Sequence, residues 1–210
     1  MKRHLALFLA IVTALAVLSG CGQKQQTEVV DNNFKRGGYS NGVYTSAFSG
    51  MSISFPEGWV VETGDELLDI ALLPPEEAAT DKNVGNLRKI QDMIATSADA
   101  SSEIVITYEN LSEVKDAETI TEKTFLEELK ESQPYVDEDD PELACYKMGE
   151  VGTVTMGGAE FAVITSETLD DSGIKRAYCA RKIDNYMLVV NFTYRGDVNY
   201  TDFTSWFTVA

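Results

Sequence analysis

Histidine is almost absent from this chain: the only one, His4, stands near the start of a 210-residue sequence. Long apolar runs are scarce too. The longest, Leu5 to Leu18, spans 14 residues, whereas a membrane-crossing helix needs roughly 20. Lys2 and Arg3 precede it, and Leu18-Ser19-Gly20-Cys21 follows at once. A basic start, a short apolar stretch and small residues before a cleavage point make a secretory signal. His4 lies inside that signal, so the mature chain is expected to hold no histidine. That excludes Ser-His-Asp and Cys-His catalysis, His-ligated zinc and the usual general base near neutral pH. Basic residues are few as well, 17 against 34 acidic ones. Cleavage before Cys21 would remove Lys2 and Arg3 and no acid, taking the formal charge from −17 to −19. A surface of that sign repels nucleic acid and anionic lipid headgroups, so no nucleic-acid partner is expected.

A cysteine directly after Leu-Ser-Gly resembles the lipobox of bacterial lipoproteins. In that family the cysteine receives a diacylglyceryl group and becomes the first mature residue. The resemblance implies that Cys21 is lipidated and that the protein is anchored to a membrane, on its extracytoplasmic side, without spanning it. Two acyl chains hold firmly, at roughly 0.8 kcal/mol per buried methylene. Residues 1–20 are then the signal, and residues 21–38 the lipidated cysteine with a polar, flexible tether rich in Gln, Asn, Asp and Gly. The remainder, 39–210, is long enough for one domain with a real core and too short for two comfortable ones.

Within that domain the pattern is mainly of strands. Val43 to Phe48 leads through Ser49-Gly50 to Met51, Ile53 and Phe55, which alternate with serines. Pro56-Glu57-Gly58 turns the chain before Trp59, Val60 and Val61. Thr63 to Glu66 has the spacing of a capping box and predicts a helix with Leu67, Leu68, Ile70 and Ala71 on its apolar face. Arg88 to Thr96 and Glu103 to Glu109 predict a hairpin in which Ile104, Ile106 and Tyr108 share a face. A helix is expected over 121–133, with Phe125, Leu126 and Leu129 on one side and charged residues on the other. The last third predicts a meander: Cys145 to Met156, Gly157-Gly158, Ala159 to Leu169, Asp170 to Gly173, Ile174 to Ile183, then Met187 to Tyr194. Met187 to Val190 is apolar on both faces, as a strand covered on both sides must be. A final helix over 200–208 carries Phe203, Trp206 and Phe207 as a docking stripe.

The run from Tyr39 through Tyr44 and Phe48-Ser49-Gly50-Met51-Ser52-Ile53-Ser54-Phe55 to Pro56-Glu57-Gly58-Trp59 resembles the first hairpin of PsbP-like domains. The order of elements after Trp59, up to the Gly157-Gly158 meander, is also similar to theirs. The resemblance implies an α+β fold: an antiparallel sheet of about six to eight strands flanked by helices on both faces. It implies accessory or binding roles and brings no catalytic residues. The expected function is therefore a non-catalytic accessory or protein-binding module whose protein partner is unidentified, with a small-ligand or cation-binding lipoprotein as the alternative. No cofactor is expected.

Three constellations offer candidate chemistry. Asp137-Glu138-Asp139-Asp140-Pro141-Glu142 is the densest acidic stretch, and Asp137, Asp139 and Asp140 are its candidate cation ligands. The alternating ligands and the central glycine of a calcium loop are missing, so a solvated loop is the favoured reading. Cys145 and Cys179 are the thiols that remain after lipidation. If Val151 faces Ile164 and Ile164 faces Cys179, the two cysteines are offset by about 20 Å along the sheet. A disulfide needs Cα atoms within about 7 Å, so two free, packed cysteines are expected. Lys175, Arg176, Arg181 and Lys182 concentrate basic charge on one strand, where Arg176, Tyr178 and Lys182 share a face. Salt bridges to acidic neighbours are favoured there over a site for a small anion. Calorimetry tests the acidic stretch directly: millimolar calcium is expected to give no binding heat, and a saturable heat would restore a metal site at Asp137, Asp139 and Asp140.

Overall fold

The computed structural model describes residues 34–67, 87–132 and 146–210, all within one compact unit. The strands are β1 (Gly38–Ser40), β2 (Val43–Ser46), β3 (Met51–Ser54), β4 (Val60–Thr63), β5 (Lys89–Thr96), β6 (Ser102–Asn110), β7 (Tyr146–Met148), β8 (Gly152–Met156), β9 (Ala159–Thr168), β10 (Lys175–Ile183), β11 (Tyr186–Tyr194) and β12 (Phe207–Val209). Among the described residues two α-helices accompany them, α1 (Glu122–Ser132) and α2 (Tyr200–Thr204). An eight-stranded antiparallel sheet runs β4-β5-β6-β11-β10-β9-β7, with β8 also on β9. A four-stranded sheet runs β1-β2-β3-β12. No helix among the described residues is long and apolar enough to cross a membrane.

Strand β11 shows why the large sheet is central. Tyr186, Leu188, Val190 and Phe192 enter one core with Tyr44, Met51, Ile53 and Phe207 of the small sheet. Met187 and Val189 enter the other, with Leu126 of α1, Ile164 and Ala180. The near-continuous apolar run of this strand is thus the sum of two alternating faces. Helix α1 covers one face of the large sheet as its apolar stripe predicts. Among the described residues the opposite face carries the small sheet and the short α2, so the antiparallel sheet is as expected, the arrangement is sheet-rich, and full helical layers on both faces are not seen.

Tertiary pairing accounts for several departures from the sequence pattern. The helix expected over 200–208 stops at Thr204, because Phe207 pairs with Ile53 and extends the small sheet as β12. Phe203 still docks as the stripe requires, stacking on Phe192 with 5.7 Å between ring centroids. Asn199 starts that helix with a capping box closed by Asp202. Gly64–Leu67 forms a 3-10 turn, and the remainder of the helix expected there lies outside the described residues. The single strand expected over 145–156 is broken into β7 and β8, both on β9 but one residue out of step with each other. The loop after β9 shifts the next register: Thr168 donates its amide to the Ile174 carbonyl, so Cys179 faces Val163 rather than Ile164. A one-residue slip moves every side chain to the other face.

The folded unit also begins earlier than residue 39. Phe34 is 5% exposed and packs against Phe48, Tyr108 and Tyr186, with ring centroids 4.9–5.4 Å away. Arg36 donates from Nη1 to the Gln91 carbonyl. The amide of Gly37 donates to both carboxylate oxygens of Asp92 at 3.0 and 3.1 Å. A Cβ on Gly37 would overlap the Tyr44 ring. Polar composition suggested a tether here. Its last residues are instead held by one aromatic side chain and a buried acceptor.

Asp92 is fully buried because it is the extra residue of a β-bulge: Gln91 faces Thr107 and Met93 faces Ile106, leaving Asp92 unpaired in the ladder. Its side chain accepts from the Tyr44 hydroxyl as well as from Gly37. Ser46 and the Tyr108 hydroxyl continue the network at 3.2 Å. Burial raises the Asp92 carboxyl above its ordinary value, against the lowering effects of Tyr44, Gly37 and Arg36. Burial likewise pushes the Tyr108 phenol up to about 12 and Tyr44 well above its usual range. The folded state therefore holds the Asp92 proton to higher pH than the unfolded chain, and the associated stability is complete below the unfolded value and lost as pH rises through the folded one. Denaturant titrations across pH should show the margin of wild type over Asp92→Asn narrowing as pH rises from 3.8; a margin that widens would contradict this.

Candidate functional site

A cavity of about 310 Å³ lies beside the interruption between β7 and β8. Gly149 sits at the break and donates its amide to the Thr165 carbonyl at 2.8 Å. A Cβ there would lie 2.9 Å from Thr165 Oγ1, so only glycine passes this close to β9 without a shift. Beside it, register places Lys147 opposite Glu167, Glu167 opposite Lys175, and Lys175 opposite Tyr194. Directly paired residues project from the same face of a sheet, so the four form one row across β7, β9, β10 and β11. Asn199 and Tyr200, at the start of α2, complete the lining.

This row lies on the face that also carries the small sheet, since Tyr194 belongs to that core and its ring meets Phe203 at 6.4 Å. Burial raises the Tyr194 phenol above its ordinary value, helped by Tyr200, Cys179 and Glu167, while the Tyr200 amide lowers it. Tyr200 is raised by burial as well. Both rings thus stay neutral through physiological pH. The charges available to a ligand are two ammonium groups and one carboxylate.

The basic residues of β10 separate by face. Lys175 lines the cavity. Arg181 lies over the Phe161 ring at 5.9 Å, and Arg176 over Tyr146 at 4.8 Å. Lys182 donates from Nζ to the carbonyls of Ala117 and Ile120, and its amide to Glu122 Oε1. The expected salt bridges are therefore replaced by ring contacts and backbone acceptors. The shared face of Arg176, Tyr178 and Lys182 is the one covered by α1, with Tyr178 packed against its core. The cavity draws on Lys175, from the same strand but the opposite face.

Cys21, Asp137, Asp139, Asp140 and Cys145 lie outside the described residues. Among the described residues, no group of three or more His, Cys, Asp or Glu side chains is placed to hold a metal. Cys179 is a free, buried thiol. Lys147, Glu167, Tyr194 and Tyr200 gave no signal in the sequence, because only strand register assembles them.

With this geometry in view, comparison with solved structures finds a similar chain, the solution structure of cyanobacterial PsbP (CyanoP) from Synechocystis sp. PCC 6803. The match has a TM-score of 0.50 at 10% sequence identity and covers 92% of this chain and 99% of that one. The fold is PsbP-like. No family model matches the chain, and no curated protein matches it. A PsbP-like fold carries no chemistry by itself, so the site must be argued from its own residues.

Burial pushes the Cys179 thiol far above its ordinary range, which suppresses the reactive thiolate. Alkylation mapped by mass spectrometry should leave Cys179 unmodified in the native protein and fully modified in denaturant without reductant. Rapid native labelling would contradict the packing described.

Proposed function

We propose that the protein is a lipoprotein held at the extracytoplasmic face of a membrane by acyl chains on Cys21, where its PsbP-like domain serves as a non-catalytic accessory or protein-binding module. The observation that carries this reading is Leu18-Ser19-Gly20-Cys21 directly behind a basic start and a 14-residue apolar run. A charge of −19 after cleavage supports the lipid as the sole hold on the membrane, since acidic surface and anionic headgroups repel.

Support for a non-catalytic role comes from the titratable groups. Histidine is confined to position 4. Asp92, Tyr44 and Tyr108 are each 0% exposed, so no substrate reaches them. A second reading, a small-ligand-binding lipoprotein, is favoured by one observation: the cavity that gathers Lys147, Glu167 and Lys175.

Metabolic labelling with a palmitate analogue, followed by fractionation, tests the first reading. Wild type should carry label and sediment with membranes. Cys21→Ala should be unlabelled and soluble, with an unchanged unfolding transition. A Cys21→Ala protein that still sediments with membranes would overturn the proposal.

A further inference from the structure

Across three neighbouring strands the cavity presents charges in the order plus, minus, plus: Lys147 on β7, Glu167 on β9 and Lys175 on β10. Strands in a sheet lie about 4.8 Å apart, so the two lysine stems are rooted roughly 10 Å from each other with the carboxylate between them. The ion pairs within 4.0 Å among the described residues are Lys123 with Glu127 and Lys130 with Glu150. None involves this row, so its three charges do not neutralise one another by contact.

The pattern selects its own complement. A plain dianion would satisfy the two lysines and leave Glu167 without a partner, and a plain amine would face two ammonium groups. A molecule with two carboxylates and one ammonium matches all three positions. Tyr200, half-buried, adds a ring face for an aliphatic stem or an ammonium group, while Tyr194 is almost fully buried behind it. The volume, about 310 Å³, stands at the lower end of the roughly 300–1,000 Å³ usual for ligand cavities and suits a single amino acid.

We propose that this cavity binds a small acidic zwitterion of the glutamate or aspartate type, its carboxylates on Lys147 and Lys175 and its ammonium on Glu167. The assignment rests on the ligand-binding reading above and is independent of the lipid anchor. Lys147 and Glu167 are exposed and Lys175 is half-buried, so their substitution leaves the cores intact.

The test is calorimetric titration of the full lipidated chain in a neutral detergent with L-glutamate, glutarate and 1,5-diaminopentane. L-glutamate should bind at millimolar concentration or better, and glutarate, which lacks the ammonium, about fivefold more weakly. Lys175→Gln should weaken both acids. Glu167→Gln should weaken glutamate and strengthen glutarate, so that the preference disappears or reverses. Structural damage would weaken both together and cannot produce that reversal. Absence of L-glutamate binding, or equal affinity for glutarate in wild type, would overturn the assignment. If glutarate or the diamine binds best and Lys175→Gln alters that binding, the acidic-zwitterion class falls while the ligand-binding reading stands.

Discussion

Asp92 is a carboxylate removed from water, and its neighbours are arranged around that fact. An isolated buried charge costs several kcal/mol unless hydrogen bonds replace its hydration. Here the replacement comes from the Gly37 amide and the Tyr44 hydroxyl, with the Arg36 charge nearby. These donors belong to different parts of the fold. Tyr44 is on β2 of the small sheet, Gly37 precedes β1, and Asp92 itself is on β5 of the large sheet. One bulged residue therefore joins both sheets to the chain's entry point. Phe34 reinforces the junction by filling the space between Phe48, Tyr108 and Tyr186.

That junction bears on the proposed role. In a lipid-anchored protein, any load on the anchor reaches the domain through its first ordered residues. Phe34, Arg36 and Gly37 deliver it to the middle of β5, next to a fully buried pair of side chains. The cavity of Lys147, Glu167 and Lys175 lies on the other side of the large sheet's order, between the broken edge at β7–β8 and the start of α2. The segment Phe34–Gly37 and the candidate ligand site thus engage opposite halves of one sheet. The PsbP-like fold accommodates both while specifying neither.

Local pattern made much of this architecture legible. The β5–β6 hairpin, the helix with Leu126 inward, the Gly157-Gly158 turn and the doubly buried β11 follow from alternation, capping and turn residues. What pattern could not show depends on pairing between distant segments. β12 forms where Phe207 pairs with Ile53, and the β5 bulge places the Asp92 carboxylate within reach of the Gly37 amide. The candidate site is of the same kind: Lys147 and Lys175 are 28 positions apart in the sequence and meet only across Glu167. One residue of difference in the loop after Thr168 decides whether Cys179 faces Val163 or Ile164. Polarity also misled at the entry point, where the short segment before β1 contributes Phe34 to the core.

The claim that Asp92 ties the entry segment into the core is tested most directly by hydrogen exchange at the Gly37 amide. That group lies outside every strand ladder, and its acceptor is a side chain. If the junction is part of the cooperative core, Gly37 should exchange only with global unfolding, as slowly as amides of β6 and β11. Exchange of Gly37 at the rate of an open turn, while β6 and β11 stay protected, would contradict the account.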